Sequence, residues 1–494
     1  MTWNGSRWPR TQEARLNTSL DPEDWDAVRA QGHRMLDDLF DHLEGLRSQP
    51  VWRPIPEAVR ARFQSPPPAA PEPLERVHED FLSSILPYGG GNLHPGFMGW
   101  VQGAGTPVGV LAEMLAAGLN ANLGGRDHMP IAVEREVMGW MRDLVGFPKT
   151  AGGQFVTGAS MANFIGVLLA RTRALGPESR RSGLQARSET LTAYASPGAH
   201  ACVARALEMA GIGTDHLRLV DIDDDHRVNV RAMAEAIARD RERGLTPFLI
   251  VGNAGTVDVG AVDPLDALAD LARDEGAWFH IDGAIGALAV LSKSVAPKLK
   301  GIERADSLAF DLHKWGHVPY DAGFILVRDE AESYAAFSQV PAYLARESRG
   351  LAAGDWWPCD TGPDLSRGFR ALKAWFTLRV LGTEAIGASI DRGCALARAL
   401  ETMVEANEEL ELLAPVQLNI VCFRYRCAEP DRINRHIVAD LQEAGAVAPS
   451  LTRVNGHAAI RAALFNHRTE QRDIETLVEQ VVMFGRRAVQ ADAA

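Results

Sequence analysis

Six lysines serve a chain of 494 residues that also carries 45 arginines, and one lysine is set apart by its surroundings. Lys314 stands in AFDLHKWGHVPYDAGF, between His313 and Trp315 and just past an apolar run. Lys293, Lys298 and Lys300 fall in SKSVAPKLK, which reads as exposed loop. Lys149 is in the turn FPKTAGG, and Lys373 is on the amphipathic RALKAWFTLRVLG. An amine held among apolar side chains has a lowered pKa and attacks carbonyls. Asp282 is its counterpart. It ends the almost wholly apolar WFHID and precedes Gly283 and Ala284, where a carboxylate needs a cation against it. The plain arrangement is an ion pair; the chemical one is that both address a single ligand.

Other residues sit at comparable places. In FVTGAS, small residues around Ala159 and Ser160 let a backbone approach an anion at the start of a helix, where free N–H groups collect. Ser160 would serve equally as an ordinary N-cap. His200 closes SPGAH at the mouth of another helical pattern, and Thr256 lies in the Gly-rich VGNAGTVDVG. Taken singly, each reads as structural. Together they supply an amine for an aldehyde, an acid for a protonated ring nitrogen and a helix end for a phosphate. Pyridoxal 5'-phosphate has those three handles, and Lys314 would form a Schiff base with it.

The elements that must position these residues alternate between about residues 100 and 330. Short apolar runs such as TPFLIVGNAG and AWFHIDGA are separated by helical patterns such as SMANFIGVLLARTRAL. That alternation predicts an α/β domain with a mostly parallel sheet, whose ligands bind at the carboxyl ends of the strands. The remainder reads helix, strand, helix, strand, helix, a smaller α+β domain. We expect an N-terminal helical arm and linker over 1–100, a large cofactor-binding domain over 101–371 and a small domain over 372–494. In the arm, Trp25, Val28, Met35, Leu36, Leu39, Phe40 and Leu43 recur at helical spacing, and the Pro-rich RFQSPPPAAPEPLER follows. Arms of this kind wrap a partner subunit.

Composition narrows the function further. Apolar residues make up 46% and charged ones 23%, as in an ordinary globular protein. A net charge of −13 argues against nucleic acid as the main partner. The five cysteines show no metal-like pairing, so no metal is expected. Cys422 and Cys427 read as opposite faces of one strand, reduced and structural. VGVLAEMLAAGL is too short to span a bilayer and contains Glu113, and the opening segment has no apolar core. A cytoplasmic protein without membrane contact is expected.

Six blocks carry a family resemblance: HPGFMGW (94–100), TGASMAN (157–163), GAHACV (198–203), HIDGAIGA (280–287), HKW (313–315) and RGFRALKAWF (367–376). Over about residues 80–480 the chain resembles the group II pyridoxal-phosphate decarboxylases, relatives of aromatic-amino-acid, glutamate and histidine decarboxylases. The resemblance implies the aspartate-aminotransferase-like fold (fold type I) and a homodimer with active sites shared at its interface. By the same resemblance Lys314 looks like the lysine that anchors the cofactor, Asp282 like the ring-nitrogen partner and His200 like the histidine stacked on the ring. Ala159 and Ser160 resemble the phosphate cradle, Ala284 and Thr256 further ring-side contacts, and His313 the lysine's neighbour at the cofactor. Asp311 stands where animal aromatic-amino-acid enzymes have Asn, and an acid beside a phosphate repels it unless it hydrogen-bonds a neighbour.

FSQVPAYLARESRG at 337–350 resembles the mobile catalytic loop, taken here as about 337–355. Tyr343 falls at the tyrosine that protonates the substrate's Cα after carbon dioxide leaves. Family members without that hydroxyl tend to make aldehydes. For the substrate side chain, NLGGRDHMPIAVERE puts Gly124, Gly125, Arg126, Asp127 and His128 where aromatic-specific relatives carry apolar and aromatic groups. Arg126 could meet a substrate carboxylate or pair with Asp127. Trp100 matches an aromatic position, followed by Val101 and Gln102. Arg461 in HAAIRAALFN aligns with the arginine that holds the α-carboxylate in glutamate decarboxylases. The expected reaction is decarboxylation of an L-amino acid to its amine, on a pocket more polar than that of aromatic-specific relatives. Decarboxylating oxidative deamination to an aldehyde, transamination, and a cofactor-binding dimer without turnover are the alternatives.

Overall fold

Apolar runs with every residue buried become the central strands. This is so for Leu191–Ala195, Trp278–Asp282, Ser307–Asp311 and Gly323–Val327, as in sheets covered on both faces. The computed structural model describes residues 19–339 and 346–493. In chain order the strands of the first part are β1 (Phe97–Met98), β2 (Gly152–Val156), β3 (Leu191–Ala195), β4 (Leu217–Leu219), β5 (Thr246–Asn253), β6 (Trp278–Asp282), β7 (Ser307–Asp311) and β8 (Gly323–Val327). Seven of them form one sheet in the order β2-β8-β7-β6-β5-β3-β4. The pairs β3–β4, β3–β5, β5–β6 and β6–β7 are parallel. β8 runs against both β2 and β7. The connection from β7 to β8 is too short for a helical crossover, so the chain must turn back on itself.

Helices Ala159–Leu175, Cys202–Met209, Val230–Glu242 and Leu265–Glu275 connect these strands. Their ends follow local chemistry. Asn229 caps the third by accepting from the Ala232 amide, and Gly276, at φ +64°, closes the fourth in the left-handed conformation.

The second sheet contains β9 (Leu410–Leu412), β10 (Ile420–Tyr425), β11 (Ala448–Val454) and β12 (His457–Ala463), in the order β1-β11-β12-β10-β9. It takes in β1, from far upstream, in parallel with β11. Helices Arg370–Glu405, Pro430–Ala444 and Gln471–Ala493 accompany it. The first of these is interrupted at Gly382, φ +78°. Cys427 lies beyond the end of β10, so it does not share that strand with Cys422 as the sequence suggests.

The chain divides into two compact units. One comprises Leu46–Arg53 and everything from Gly90, and so carries both sheets. The other runs to Gly45 and resumes over Pro54–Gly89. In it, helices Trp25–Glu44 and Leu74–Ser84 are joined by a Gln31 Nε2···His78 Nδ1 hydrogen bond of 3.1 Å. Asp24 caps the first by accepting from the Asp26 and Ala27 amides. Trp25, Val28 and Met35, three of the apolar residues at helical spacing, are exposed.

Candidate active site

β7 ends at Asp311, and the chain turns at once. The Leu312 amide donates to the Ala322 carbonyl, and the Ala322 amide donates to His313 Nδ1, 3.1 Å away. His313 also packs on Tyr320, with ring centroids 4.1 Å apart. Trp315 is buried against Phe465, centroids 5.2 Å apart. The two aromatic neighbours of Lys314 thus pin the turn on either side of it and leave its amine projecting. Gly103 completes the packing, because a Cβ there would run into the carbonyl oxygens of His313 and Lys314.

The amine opens into a cavity of about 460 Å³ at the carboxyl ends of the strands. Trp100, Ala159, Ser160, His200, Asp282, Ala284, Asp311, His313, Lys314 and Arg461 line it, each singled out by the sequence. Gln102, Cys202, Asn253 and Tyr320 line it as well. The sequence offers no local pattern for Cys202 or Tyr320. Thr256 is not among the lining residues; its hydroxyl accepts the Ala261 amide and holds the loop whose Gly255 and Val257 face the cavity. Arg126 is likewise absent from the lining. Its guanidinium lies over the Trp357 ring, 4.6 Å from the centroid, and not against Asp127. Tyr343 lies outside the described residues.

Asp311 joins the two ends of this arrangement. One oxygen lies 2.9 Å from Lys314 Nζ, and the other accepts the Ala159 amide at 2.7 Å. An acid here does hydrogen-bond its neighbours, as its position beside a phosphate would require. Helix Ala159–Leu175 has Gly158 at its N-cap and no side-chain cap there, so its positive end points into the cavity. Asp282 is buried, and Oδ1 accepts the Ala284 amide at 3.0 Å. Burial pushes its carboxyl above the ordinary range, while the Ala284 amide and Lys314 pull it back. His200 accepts the Cys202 amide on Nδ1, 3.2 Å away, which leaves Nε2 as the protonated nitrogen.

The opposite wall comes from the second sheet. Trp100 is 57% exposed and holds a left-handed φ of +48°, a strained conformation for a bulky residue. Its amide donates to Ser450 Oγ on β11. Arg461 on β12 is buried, with Nε donating to the Asp258 carbonyl and Nη2 to that of Val257. Among the described residues Nη1 meets Ser450 Oγ alone, at 3.4 Å, and keeps donor capacity for the cavity.

These groups fit a pyridine that bears an aldehyde and a phosphate. A lysine amine lies between a buried carboxylate and a helix N-terminus whose first amide meets Asp311, in a space of suitable size. The model of the pyridoxal-dependent decarboxylase conserved domain matches residues 56–426. The chain belongs to the pyridoxal-dependent decarboxylase family. It is 33% identical over 469 residues to an aromatic-L-amino-acid decarboxylase of Bacillus atrophaeus, covering 92% of this chain and 94% of that one. It is 30% identical over 476 residues to a phenylacetaldehyde synthase of Arabidopsis thaliana, covering 92% and 95%. Among solved structures, Oryza sativa TDC with PLP and tryptamine superposes with a TM-score of 0.88 at 24% identity, over 95% of this chain and 100% of that one. The glutamate decarboxylase domain of a Vibrio parahaemolyticus protein gives 0.84 at 26%, over 97% and 100%. The fold is therefore fold type I, and the family's cofactor is pyridoxal phosphate. Among the described residues no helix is long and apolar enough to cross a membrane.

Proposed function

We propose that this protein removes carbon dioxide from an L-amino acid and releases the corresponding amine, with pyridoxal phosphate held on Lys314. The observation that carries the reading is the opening of the Lys314 amine and the Asp282 carboxylate into one cavity that also holds a helix N-terminus. When bound, the cofactor supplies an electron sink for the pair left on Cα as carbon dioxide departs. Lys314 would hold the cofactor aldehyde through its amine, which opens into the cavity. Asp282, steadied by the Ala284 amide, keeps the proton on the ring nitrogen. The Ser160 amide, next to the Ala159 amide that Asp311 already takes, would receive the phosphate, His200 would cover the ring, and His313 fixes the turn that aims the lysine. Thr256 acts through its loop.

Arg461 Nη1 offers a donor for the substrate carboxylate, and Trp100 and Gln102 meet its side chain. Gln102 supports a substrate more polar than a plain aromatic one. Arg126, occupied with Trp357, is assigned no substrate contact. Tyr343 returns a proton to Cα. A homodimer with shared sites is part of the reading, supported by the exposed Met114, Leu115 and Leu119 on helix Pro107–Leu119. Five free cysteines support a reducing, cytoplasmic setting.

The test is product analysis by mass spectrometry, with purified protein, pyridoxal phosphate and a panel of acidic, basic and aromatic amino acids. An amine lighter than its parent by one carbon dioxide supports the proposal, and Lys314→Ala should abolish it. A keto acid would replace the proposal with transamination. Similarity to the Arabidopsis phenylacetaldehyde synthase favours a second reading, in which aldehyde, ammonia and consumption of dioxygen would appear together. Bound cofactor with no amino acid consumed would leave a non-enzymatic dimer.

A further inference from the structure

Trp278, His280 and Asp282 occupy alternate positions on β6, so their side chains share one face of the sheet. Ser307 is the partner of His280 across the β6–β7 pairing. Along that face the polar atoms form an unbroken series. Trp278 Nε1 lies 2.8 Å from Ser307 Oγ, which lies 2.7 Å from His280 Nδ1. His280 Nε2 lies 2.8 Å from Asn163 Oδ1, on helix Ala159–Leu175. Asn163 Nδ2 lies 3.4 Å from Cys202 Sγ, which is 3.9 Å from Asp282 Oδ2. None of these residues is more than 8% exposed.

The direction of every bond follows from chemistry. An indole nitrogen only donates, and an ionised carboxylate only accepts. Asn163 is oriented by the Ala159 carbonyl, 2.8 Å from Nδ2, which needs a donor. The amide oxygen therefore faces His280, and Nε2 must carry the ring proton. Burial keeps this imidazole neutral, with its pKa pushed down to about 3, so Nδ1 is bare. Ser307 gives its hydroxyl proton to Nδ1 and accepts from Trp278. Cys202 accepts from Asn163, has the Ser160 side chain as a further hydrogen-bond partner, and has its own hydrogen left for Asp282; burial pushes the thiol pKa up, so that hydrogen is retained.

We propose that Trp278, Ser307, His280, Asn163 and Cys202 form a one-way hydrogen-bond series that presents a thiol donor to Asp282 and positions its carboxylate for the cofactor's ring nitrogen. The titratable groups facing Asp282 besides this series are Lys314, His200 and Asp311. The series gives Oδ2 a weak donor where Oδ1 already has the Ala284 amide. A sulfur donor holds the carboxylate without competing strongly for the lone pair that the ring nitrogen uses. Gly166 makes room for the series. A Cβ there would come 2.6 Å from Cε1 and Nδ1 of His280, displacing the ring that links the two strands to the helix. Cys202 is thus a positioning residue. The proposal rests on the assignment of Asp282 to the cofactor ring and is independent of substrate and product.

The test compares the pyridoxal phosphate dissociation constant and the visible absorption band of the bound cofactor in wild type, Cys202→Ala, Cys202→Ser and Ser307→Ala holoenzymes. Cys202→Ala should weaken binding on the order of fivefold, as for the loss of one ordinary hydrogen bond, and move the band. Cys202→Ser, which keeps a donor, should restore both. Ser307→Ala touches neither Asp282 nor the cavity, yet should move the band in the same sense by less. A band and affinity unchanged in Cys202→Ala would overturn the proposal while leaving the cofactor assignment intact. A band that moves with Cys202→Ala but not with Ser307→Ala would overturn the series beyond the thiol. Wild type that binds no cofactor would overturn the assignment of Asp282 and the proposal with it.

Discussion

Asp311 touches the Lys314 ammonium with one carboxylate oxygen at 2.9 Å and the Ala159 amide with the other at 2.7 Å. A negative charge therefore already stands at the helix end where we place the cofactor phosphate. Like charges at such a separation cost about 1 kcal/mol even when well screened. Asp311→Asn keeps an oxygen for Ala159 and removes the charge, so it should tighten pyridoxal phosphate binding about fivefold. Fluorescence titration at two salt concentrations reads this directly. Weaker binding in the variant would mean that the charge serves Lys314 more than it opposes the phosphate.

Tyr343→Phe removes the hydroxyl that we assign to protonation of Cα. The product should shift from amine toward aldehyde and ammonia, with dioxygen uptake seen at an electrode. Amine output equal to wild type, with no uptake, would take Tyr343 out of the mechanism.

Beneath β2, Arg367 and Glu134 form a buried ion pair at 2.5 Å. The arginine also donates to the carbonyls of Leu123 and Phe155, and the glutamate accepts the Phe155 amide. Arg367→Ala strands the Glu134 charge and should cost about 3–5 kcal/mol. Replacing both partners together, as Arg367→Met with Glu134→Leu, should recover most of that loss. Thermal melts of the single and double variants check both statements, and a single variant melting with wild type would refute them.

Acid should destabilise the fold through its buried histidines before the carboxylates of ordinary pKa titrate, with Asp263, raised to about 6 by burial, working the other way. Burial pushes His280 and His317 down to about 3 and His467 to about 4, from an ordinary 6.5. Below 6.5 the unfolded chain binds protons that the native state refuses. The stability tied to these rings is whole above 6.5 and declines as pH falls toward the native values. Each ring contributes about 1.4 kcal/mol per pH unit. Melting temperature should fall from pH 7 to pH 5, and His317→Gln should make that fall shallower. A profile unchanged by His317→Gln would show that this ring is protonated in the native state.

Much of this architecture is legible in the chain because burial and secondary structure agree there. WFHID and SLAFD are apolar runs ending in an acid, and each becomes a strand whose last residue faces the cavity. SMANFIGVLLARTRAL matches the helix that starts at Ala159. Other features depend on partners far away in sequence. Lys373 reads as one residue of an amphipathic helix, yet it is 1% exposed, because Glu113 reaches it at 3.1 Å. AGFILVRD announces a strand but not its direction, which the short turn after β7 decides. Arg126 has the type expected of a substrate contact, and only the position of Trp357 withdraws it. The proximity of Cys202 to Asp282 joins the helix after β3 to the end of β6, two strands with β5 between them, which no local pattern encodes.

The cavity has walls from both sheets. Lys314, Asp311 and Asp282 stand at or just beyond the ends of strands in the seven-stranded sheet, whereas Trp100 hangs from β11 and Arg461 projects from β12. Replacements around Trp100 can reshape the space offered to a side chain while Lys314 and Asp282, on the other wall, stay where they are. Only Arg461, which we assign to the substrate carboxylate, ties the second sheet to the reaction itself.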